Sequence, residues 1–507
     1  MAPSGSNKRS CPSQPTPAPP SKRQQRAPAT DDGDDGDDAA RGHFHDSGFW
    51  RDAPVLTGST KFAPLADCKN ILVTGGAGFI ASWVVRHLTL TYPHYNIVSF
   101  DKLDYCASLN NTRCLSAQPN FTFVHGDITS PPSVQAVLRT HAIDTVLHFA
   151  AQSHVDLSFG NSYEFTTTNV YGTHVLLDCA KNCGTLKRFI HVSTDEVYGE
   201  IAEGNADCKE SALLAPTNPY AASKAAAEML VHSYWKSFKL PVVIVRSNNI
   251  YGPHQFPEKV IPKFTLALER KLPLPLHGDG LHTRRYLFAS DAADAFDTIL
   301  HRGTIGSTYN VGSSDEVSNL RLCTMLLQQY GHDTAAPGFR LADHVRHTVD
   351  RPFNDRRYAV DATRLRELGW RQKVGFEDGL RRTVAWYRRY GERWWGDVGK
   401  VIEGAFPVVV GGVVVSEGES ESQTVGGDNV LEEKAKRTVG RESNGVEEKR
   451  STVNGEVNGI DIKTATTIKR STEEKKHVAK NEIGLELGTK HKASIGKKKT
   501  ALSVGDQ

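Results

Sequence analysis

From residue 70 onward, short apolar strand-like runs alternate with helix-like stretches, and this alternation narrows the choice of fold more than any other feature of the chain. The strand candidates are 70–74, 96–100, 121–124, 144–149, 187–193 and 241–247, with helical stretches between them such as 78–90, 131–140, 170–182 and 220–238. Such a rhythm argues for an α/β fold with a parallel sheet and helices on both faces. Ligands of these sheets sit at the carboxyl ends of the strands. Residues with chemical potential fall there: Gly75 after the first strand, Asp101 after the second, Asp127 after the third, Ala150-Ala151-Gln152-Ser153 after the fourth and Thr194 after the fifth. Beyond about 250, Pro253, Pro257, Pro262, Pro273 and Pro275 break the rhythm into short pieces, which predicts a smaller domain closing over a substrate.

Both ends of the 507-residue chain read differently. Residues 1 to about 60 are rich in Pro, Ser, Gln and Asp, and residues from about 405 onward mix Lys, Glu, Thr, Ser and Gly. Such segments bury too little apolar surface to offset chain entropy. The expected plan is a disordered tail at 1–67, a nucleotide-binding domain at 68–250, a mainly substrate-binding domain at 251–400 and a disordered tail at 401–507. A formal net charge of +3 implies no general nucleic-acid field. Eight cysteines without a CxxC pair suggest neither a disulfide framework nor a zinc site, so a reducing, cytoplasmic compartment fits. No run reaches the ~18 apolar residues needed to span a bilayer; Val408 to Val415 is apolar but too short. Lys8-Arg9 and Lys22-Arg23 read as part of a solvated tail or, alternatively, as a bipartite nuclear signal.

Gly75 to Ala81 has the spacing G-x-x-G-x-x-A between a strand and a helix. The first glycine allows the tight turn, Gly78 lets the helix N-terminus approach a phosphate, and the small third residue allows close packing. Asp101 lies about twenty residues on, where a carboxylate accepts from adenosine ribose hydroxyls and repels a 2′-phosphate. The pattern predicts a Rossmann-type, doubly wound sheet that binds NAD rather than NADP.

Tyr220-Ala221-Ala222-Ser223-Lys224 sets a tyrosine and a lysine one helical turn apart on one face. For the phenol to act as a base near neutrality its pKa must fall by roughly 3 units, which a lysine cation and an oxidised nicotinamide can supply. Asp195 and Glu196 follow the fifth strand, where the chain turns and both can reach one cleft. Like charges close together push one pKa up, leaving one protonated acid beside one ionised base, the division of labour that elimination of water needs. Asn248 and Asn249 after the sixth strand are candidates to bond a sugar or phosphate, and Arg284, Arg285, Arg351, Arg356 and Arg357 to clamp a diphosphate. His148 and His154 lack acidic or thiol partners at ligand spacing, so no metal is expected.

Together these residues resemble the nucleotide-sugar 4,6-dehydratases of the extended short-chain dehydrogenase/reductase superfamily. The resemblance covers roughly 69 to 392. It rests on Thr74-Gly75-Gly76-Ala77-Gly78-Phe79-Ile80, on 148–156 (His-Phe-Ala-Ala-Gln-Ser-His-Val-Asp), on Ser193-Thr194-Asp195-Glu196-Val197-Tyr198-Gly199, on Pro219 to Lys224 and on Asn248 to Pro253. Gln255 to Pro262 and Arg351 to Tyr358 also fit, while Phe288-Ala289-Ser290-Asp291 departs from the pattern, since relatives often have an acidic residue before the aspartate. The Thr-Asp-Glu signature separates the dehydratases from related epimerases. Asp101-Lys102-Leu103-Asp104-Tyr105-Cys106 looks most like the dehydratase module of plant rhamnose synthases and their fungal UDP-glucose counterparts.

The resemblance implies a hydro-lyase that converts a nucleoside-diphosphate-glucose, UDP-glucose before dTDP-glucose, to its 4-keto-6-deoxy product in deoxysugar or rhamnose-type biosynthesis. Tyr220, assisted by Lys224, removes the C4 hydroxyl proton as hydride passes to NAD; Glu196 takes the C5 proton, Asp195 protonates the departing C6 hydroxyl, and Thr194 bonds the C4 oxygen. NAD is regenerated each turnover and stays bound, held by Gly75, Gly78, Phe79, Ile80, Asp101, Lys102, Asp127, Ile128, Ala150, Ala151, Ser153, Thr168, Tyr220 and Lys224. Substrate contacts fall to Ser153, Thr194, Asn248, Asn249, Glu258, Lys259, Arg284, Asn310, Arg351 and Tyr358. A homodimer is expected. With a tail in place of the plant proteins' second module, the chain is expected to stop at the keto sugar. The alternatives are an NAD-dependent nucleotide-sugar 4-epimerase, which would need no Asp195/Glu196 pair, and a non-catalytic nucleotide-sugar or NAD sensor.

Overall fold

Seven parallel strands form the central sheet of the computed structural model, which describes residues 48–403 and the strands Val408–Val410 and Val413–Val415. The first six in the chain are β1 (Asn70–Thr74), β2 (Asn96–Asp101), β3 (Phe121–His125), β4 (Thr145–His148), β5 (Arg188–Thr194) and β6 (Val242–Ser247). Their spatial order is β6-β5-β4-β1-β2-β3, with Thr308–Val311 pairing in parallel along the outer edge of β6. Register places Thr74 beside Phe100 on one side and His148 on the other, so the strand ends line up along one edge.

Alternate side chains of the inner strands enter two separate cores, which is why these strands read as largely apolar runs rather than alternating ones, while the edge strand β3 is only partly buried. Leu72, Val98, Val146, Phe189, Val242 and Ile244 pack with Val134, Val137, Leu176, Leu177 and Val231 from the helices Pro131–Thr140, Thr173–Cys183 and Pro219–Phe238. Ile71, Val73, Ile97, Leu147, Ile190, Val243 and Val245 face the helices Phe79–Thr91 and Ala289–Arg302, through Val84, Val85, Leu88, Phe296 and Ile299. Two helix starts are fixed by capping plus proline in the first turn. Ser130 accepts from the Ser133 amide ahead of Pro131, and Asn218 accepts from the Ala221 amide at 2.8 Å ahead of Pro219.

The boundary expected at 250 is not clean. Helix Ala289–Arg302 and strand Thr308–Val311 return from the C-terminal half to cover and extend the main sheet, since the edge of β6 would otherwise remain unpaired. The smaller part consists of a three-stranded sheet (Glu316–Ser318, Thr283–Phe288, Asn249–Tyr251), a parallel pair (Leu274–His277 with Val345–Thr348) and the helices Val260–Glu269, Asn319–Gln329 and Phe376–Trp395.

Of the N-terminal tail expected through 67, the part from residue 48 is ordered against the rest of the chain. Residues 48–66 form a strap against the body. The Ser59 and Thr60 amides donate to Asp294 Oδ1 at 2.6 and 2.8 Å, the Phe62 amide to the Tyr92 hydroxyl at 2.9 Å and the Leu65 amide to the Tyr95 hydroxyl at 2.7 Å. Phe49 is buried with its ring edge-on to Trp394. The expected C-terminal tail also starts with structure, since Gly399–Glu403 is helical. The N-terminal basic pairs and nearly all of 404–507 lie outside the described residues. Among the described residues no helix is long and apolar enough to cross a membrane.

Candidate active site

The cradle at the end of β1 tolerates no side chain at its turn. Gly75 has φ +70°, and a Cβ there would lie 2.8 Å from the Ala150 amide nitrogen. Gly78 precedes helix Phe79–Thr91, whose free amides and dipole face the space above the sheet edge. Asp101 ends β2 and braces this turn: Oδ2 accepts from the Ala77 amide at 2.9 Å and Oδ1 from the Leu103 amide at 2.7 Å. Burial pushes its carboxyl up, which these two amides oppose. Each oxygen keeps a lone pair for a ribose hydroxyl, so the bracing role and the expected binding role are compatible. Phe79, Ile80, Lys102, Asp127, Ile128, Ala150, Ala151, Ser153 and Thr168 line the same cavity of about 760 Å³. A glycine turn, an anion-favouring helix start and a carboxylate one strand over suit a dinucleotide.

Thr194 ends β5, and its hydroxyl accepts from the Glu196 amide at 3.3 Å, starting the single 3₁₀ turn Asp195–Tyr198. That turn brings the two consecutive acids, which a continuing strand would send to opposite faces, into one cavity. Asp195 is buried, and the Asn248 amide donates to its Oδ2 at 2.5 Å. Burial first, then the Glu196 carboxylate, pushes the Asp195 carboxyl up to about 7, against the pull of Asn248, Arg284 and Thr194. Glu196 Oε2 accepts from Asn218 at 3.0 Å and from the Tyr358 hydroxyl at 3.4 Å.

Tyr220 and Lys224 lie on helix Pro219–Phe238 and reach the same cavity. Their relationship differs from the expected one. Lys224 is buried and donates to the Val192 carbonyl at 2.6 Å, and burial lowers its ammonium to about 8, with Glu228 opposing. Burial, then Glu196, holds the Tyr220 phenol above its ordinary value, with Thr194 pulling the other way. A buried ammonium needs an acceptor, and the backbone of β5 supplies it.

The substrate candidates divide. Thr194, Asn248, Asn249, Glu258, Lys259, Arg284, Arg351 and Tyr358 line the cavity. Arg284 lies over the Tyr358 ring at 4.7 Å and donates to Asn354 at 3.0 Å, while Arg351 pairs with Asp156. Asn310 is not among them. It is fully buried in the strand Thr308–Val311, where its side chain accepts from the Tyr198 hydroxyl at 2.8 Å and donates to the Cys208 and Asp361 carbonyls. Both polar atoms of that side chain have protein partners, and the residue does not reach the cavity. Arg285 and Arg357 are also drawn away, each pairing with Glu316 and Asp207, and Arg356 does not line the cavity. His148 is clasped between the Thr74 and Thr173 hydroxyls at 2.8 and 2.9 Å, and burial brings it down to about 3. Asn218, Asp355 and Asp156, which hold Glu196, Tyr358 and Arg351, escape a reading of the sequence. Only the capping position of Asn218 before Pro219 gives a local signal.

Residues 72–383 match the family described as GDP-mannose 4,6 dehydratase. A trifunctional UDP-glucose 4,6-dehydratase/UDP-4-keto-6-deoxy-D-glucose 3,5-epimerase/UDP-4-keto-L-rhamnose-reductase of Arabidopsis thaliana is 49% identical over 364 residues, 71% of this chain and 53% of that protein. The chain spans about half the length of the Arabidopsis relatives it matches. The human dTDP-D-glucose 4,6-dehydratase is 48% identical over 340 residues, 67% of this chain and 95% of the relative. Among solved structures, a dTDP-glucose 4,6-dehydratase of Streptomyces venezuelae with NAD bound is 41% identical, with a TM-score of 0.61 over 64% of this chain and 99% of the other. With its sheet order, glycine turn and match across most of the described residues, the chain belongs to the GDP-mannose 4,6 dehydratase family.

Proposed function

We propose that the protein is an NAD-dependent hydro-lyase that converts a nucleoside-diphosphate-glucose to the 4-keto-6-deoxy sugar nucleotide, with UDP-glucose favoured and dTDP-glucose the other candidate. The observation that carries this reading is the Asp195/Glu196 pair in one cavity with Tyr220, Lys224 and the glycine cradle. Gly75, Gly78, Asp101, Asp127, Ala150 and Thr168 would hold the cofactor. Bound there, NAD supplies the hydride acceptor and return donor, and in its oxidised form a positive charge that favours the phenolate.

Tyr220 takes the C4 hydroxyl proton. The ketone that forms acidifies the C5 hydrogen, which Glu196 removes while Asn218 and Tyr358 keep its carboxylate aimed. Asp195, protonated below about 7, delivers a proton to the C6 hydroxyl, which leaves as water. Thr194 donates to the C4 oxygen as charge gathers there. Arg284, Arg351 and Lys259 suit a diphosphate at the outer end. The test is incubation of the purified protein with UDP-glucose and, separately, dTDP-glucose, with product mass as the readout. Loss of one water in either tube supports the proposal, and unchanged mass in both overturns it.

A homodimer belongs to the same proposal. Tyr163, Tyr171, Met229 and Phe238 are large apolar residues left exposed on the helical segment 162–183 and on Pro219–Phe238, a pattern that suits burial against a second copy. Sedimentation as a monomer at assay concentration overturns it. A cytoplasmic location fits the seven free thiols among the described residues.

A further inference from the structure

The loop after β2 leaves the sheet and then crosses back over it. Leu103 adopts φ +60°, a left-handed backbone uncommon for leucine, and the Asp101 carboxylate bonded to its amide at 2.7 Å fixes the turn. From there the loop reaches three separate walls. Lys102 Nζ pairs with Asp104 at 2.9 Å and with Glu164 at 3.7 Å. Asp104 Oδ2 accepts from the Gln152 side chain, in the loop after β4, at 2.8 Å. The Tyr105 hydroxyl donates to Glu258, in the C-terminal half, at 2.7 Å.

Sheet order gives these contacts their meaning. β1 lies between β2 and β4, so a bond from the loop after β2 to the loop after β4 must pass over the end of β1, where Gly75 and Gly78 form the cradle. Asp104, Cys106 and Ala107 line the cavity on the inner side of this crossing. Tyr105 itself is not a lining residue. It is partly exposed, and its ring stands edge-on to Phe256 at 5.5 Å; Phe256 in turn packs against Trp395 at 5.1 Å. The outer end of the loop is therefore tied through two edge-to-face aromatic contacts to the long helix Phe376–Trp395.

We propose that the loop 102–106 is a clasp closed over the dinucleotide, with Asp104–Gln152 and Tyr105–Glu258 as its fastenings, so that cofactor exchange requires both to open. This inference rests on the NAD site proposed above. Tyr105 is a positioning residue whose part is to retain the cofactor, and it touches neither sugar nor nicotinamide. The fastening at Glu258 is a hydroxyl-to-carboxylate bond, the stronger kind, whose loss speeds opening by about tenfold or more.

The experiment compares the NAD content of purified wild-type protein, Tyr105→Phe and Gln152→Leu during dialysis, assayed on nucleotide released by denaturation, with melting temperature and KM for the sugar nucleotide measured alongside. The clasp predicts that wild type keeps its NAD while each variant loses it about tenfold faster at a similar melting temperature, with first-turnover rate unchanged in Tyr105→Phe. Equal loss rates overturn the clasp, as does a raised KM with NAD content unchanged, which would assign Tyr105 to the substrate side. If one variant does not fold, the other decides. Wild-type protein that neither carries nor binds NAD would instead overturn the cofactor reading on which the clasp depends.

Discussion

The Asn248 side-chain amide donates to Asp195 Oδ2 at 2.5 Å, so the acid proposed to expel water is held from just past the end of the neighbouring strand, β6. The bond favours the ionised carboxyl, yet burial and Glu196 outweigh it and leave Asp195 titrating at about 7. A general acid works only while protonated. Dehydration, read as kcat/KM, should hold below that pH and fall as pH rises through about 7. Asn248→Leu removes the one direct donor from the β6 side and should move this alkaline limb to higher pH. A limb that stays in place in Asn248→Leu contradicts the assignment.

Asp195→Asn and Glu196→Gln each remove one proposed proton-transfer group and leave the glycine cradle in place. Each should lower the rate of water loss by about 10² to 10⁴-fold while NAD content stays at the wild-type level. An epimerase would keep its activity in both variants.

Asn218 caps helix Pro219–Phe238 and also donates to Glu196 at 3.0 Å. The two duties separate by substitution. Asn218→Ala loses both and should cost about 1 kcal/mol of stability along with activity. Asn218→Asp keeps a capping acceptor but faces Glu196 with a second carboxylate. Its thermal stability should stay closer to wild type than that of Asn218→Ala, while its kcat falls at least as far. A denaturation curve and a rate on each protein settle the matter.

The parallel sheet was legible because its inner strands are buried on both faces and so stand out as apolar runs between helical stretches. The candidate cavity was legible where its lining follows strand ends, as with Gly75, Asp101 and Thr194. Contacts between distant segments were not. Asn310 was expected to contact substrate, but it lies in an edge strand whose partner β6 is far away in sequence, and its side chain is buried with Tyr198, Cys208 and Asp361 as partners. The helix expected from 170 starts earlier, because Thr173–Cys183 continues a seven-residue π-helical stretch, Thr166–Gly172, whose wider turn leaves no mark in apolar spacing. The strap at 48–66 was hidden because main-chain amides make much of its attachment, and these have no signature in composition.

That strap offers a test of packing rather than chemistry. Asp294 gathers the Ser59 and Thr60 amides, the Ser59 hydroxyl and Lys373 Nζ. Asp294→Ala should open the segment 48–66 to limited proteolysis and lower the melting temperature, with little change in KM because the cavity lies elsewhere. Unchanged cleavage would mean that other contacts hold the strap.

Deeper in the fold, Arg246 and Glu228 form a buried pair, with Nη2 and Oε2 2.6 Å apart. Glu228→Gln leaves the guanidinium buried without its counter-charge, which costs about 3–5 kcal/mol. Urea unfolding should show this as a lower midpoint. An unchanged midpoint would mean that Tyr198 and the Glu210 carbonyl suffice for Arg246.

Redox and elimination in one cavity predict that hydrogen taken from one carbon of the hexose returns to another carbon of the same molecule. The direct measurement uses nucleoside-diphosphate-glucose carrying deuterium on C4, with the product examined by mass and NMR. The account predicts a 4-keto-6-deoxy sugar lighter by one water with the deuterium on C6. Recovery of the label on C4, in unchanged or 4-epimerised sugar, would contradict it.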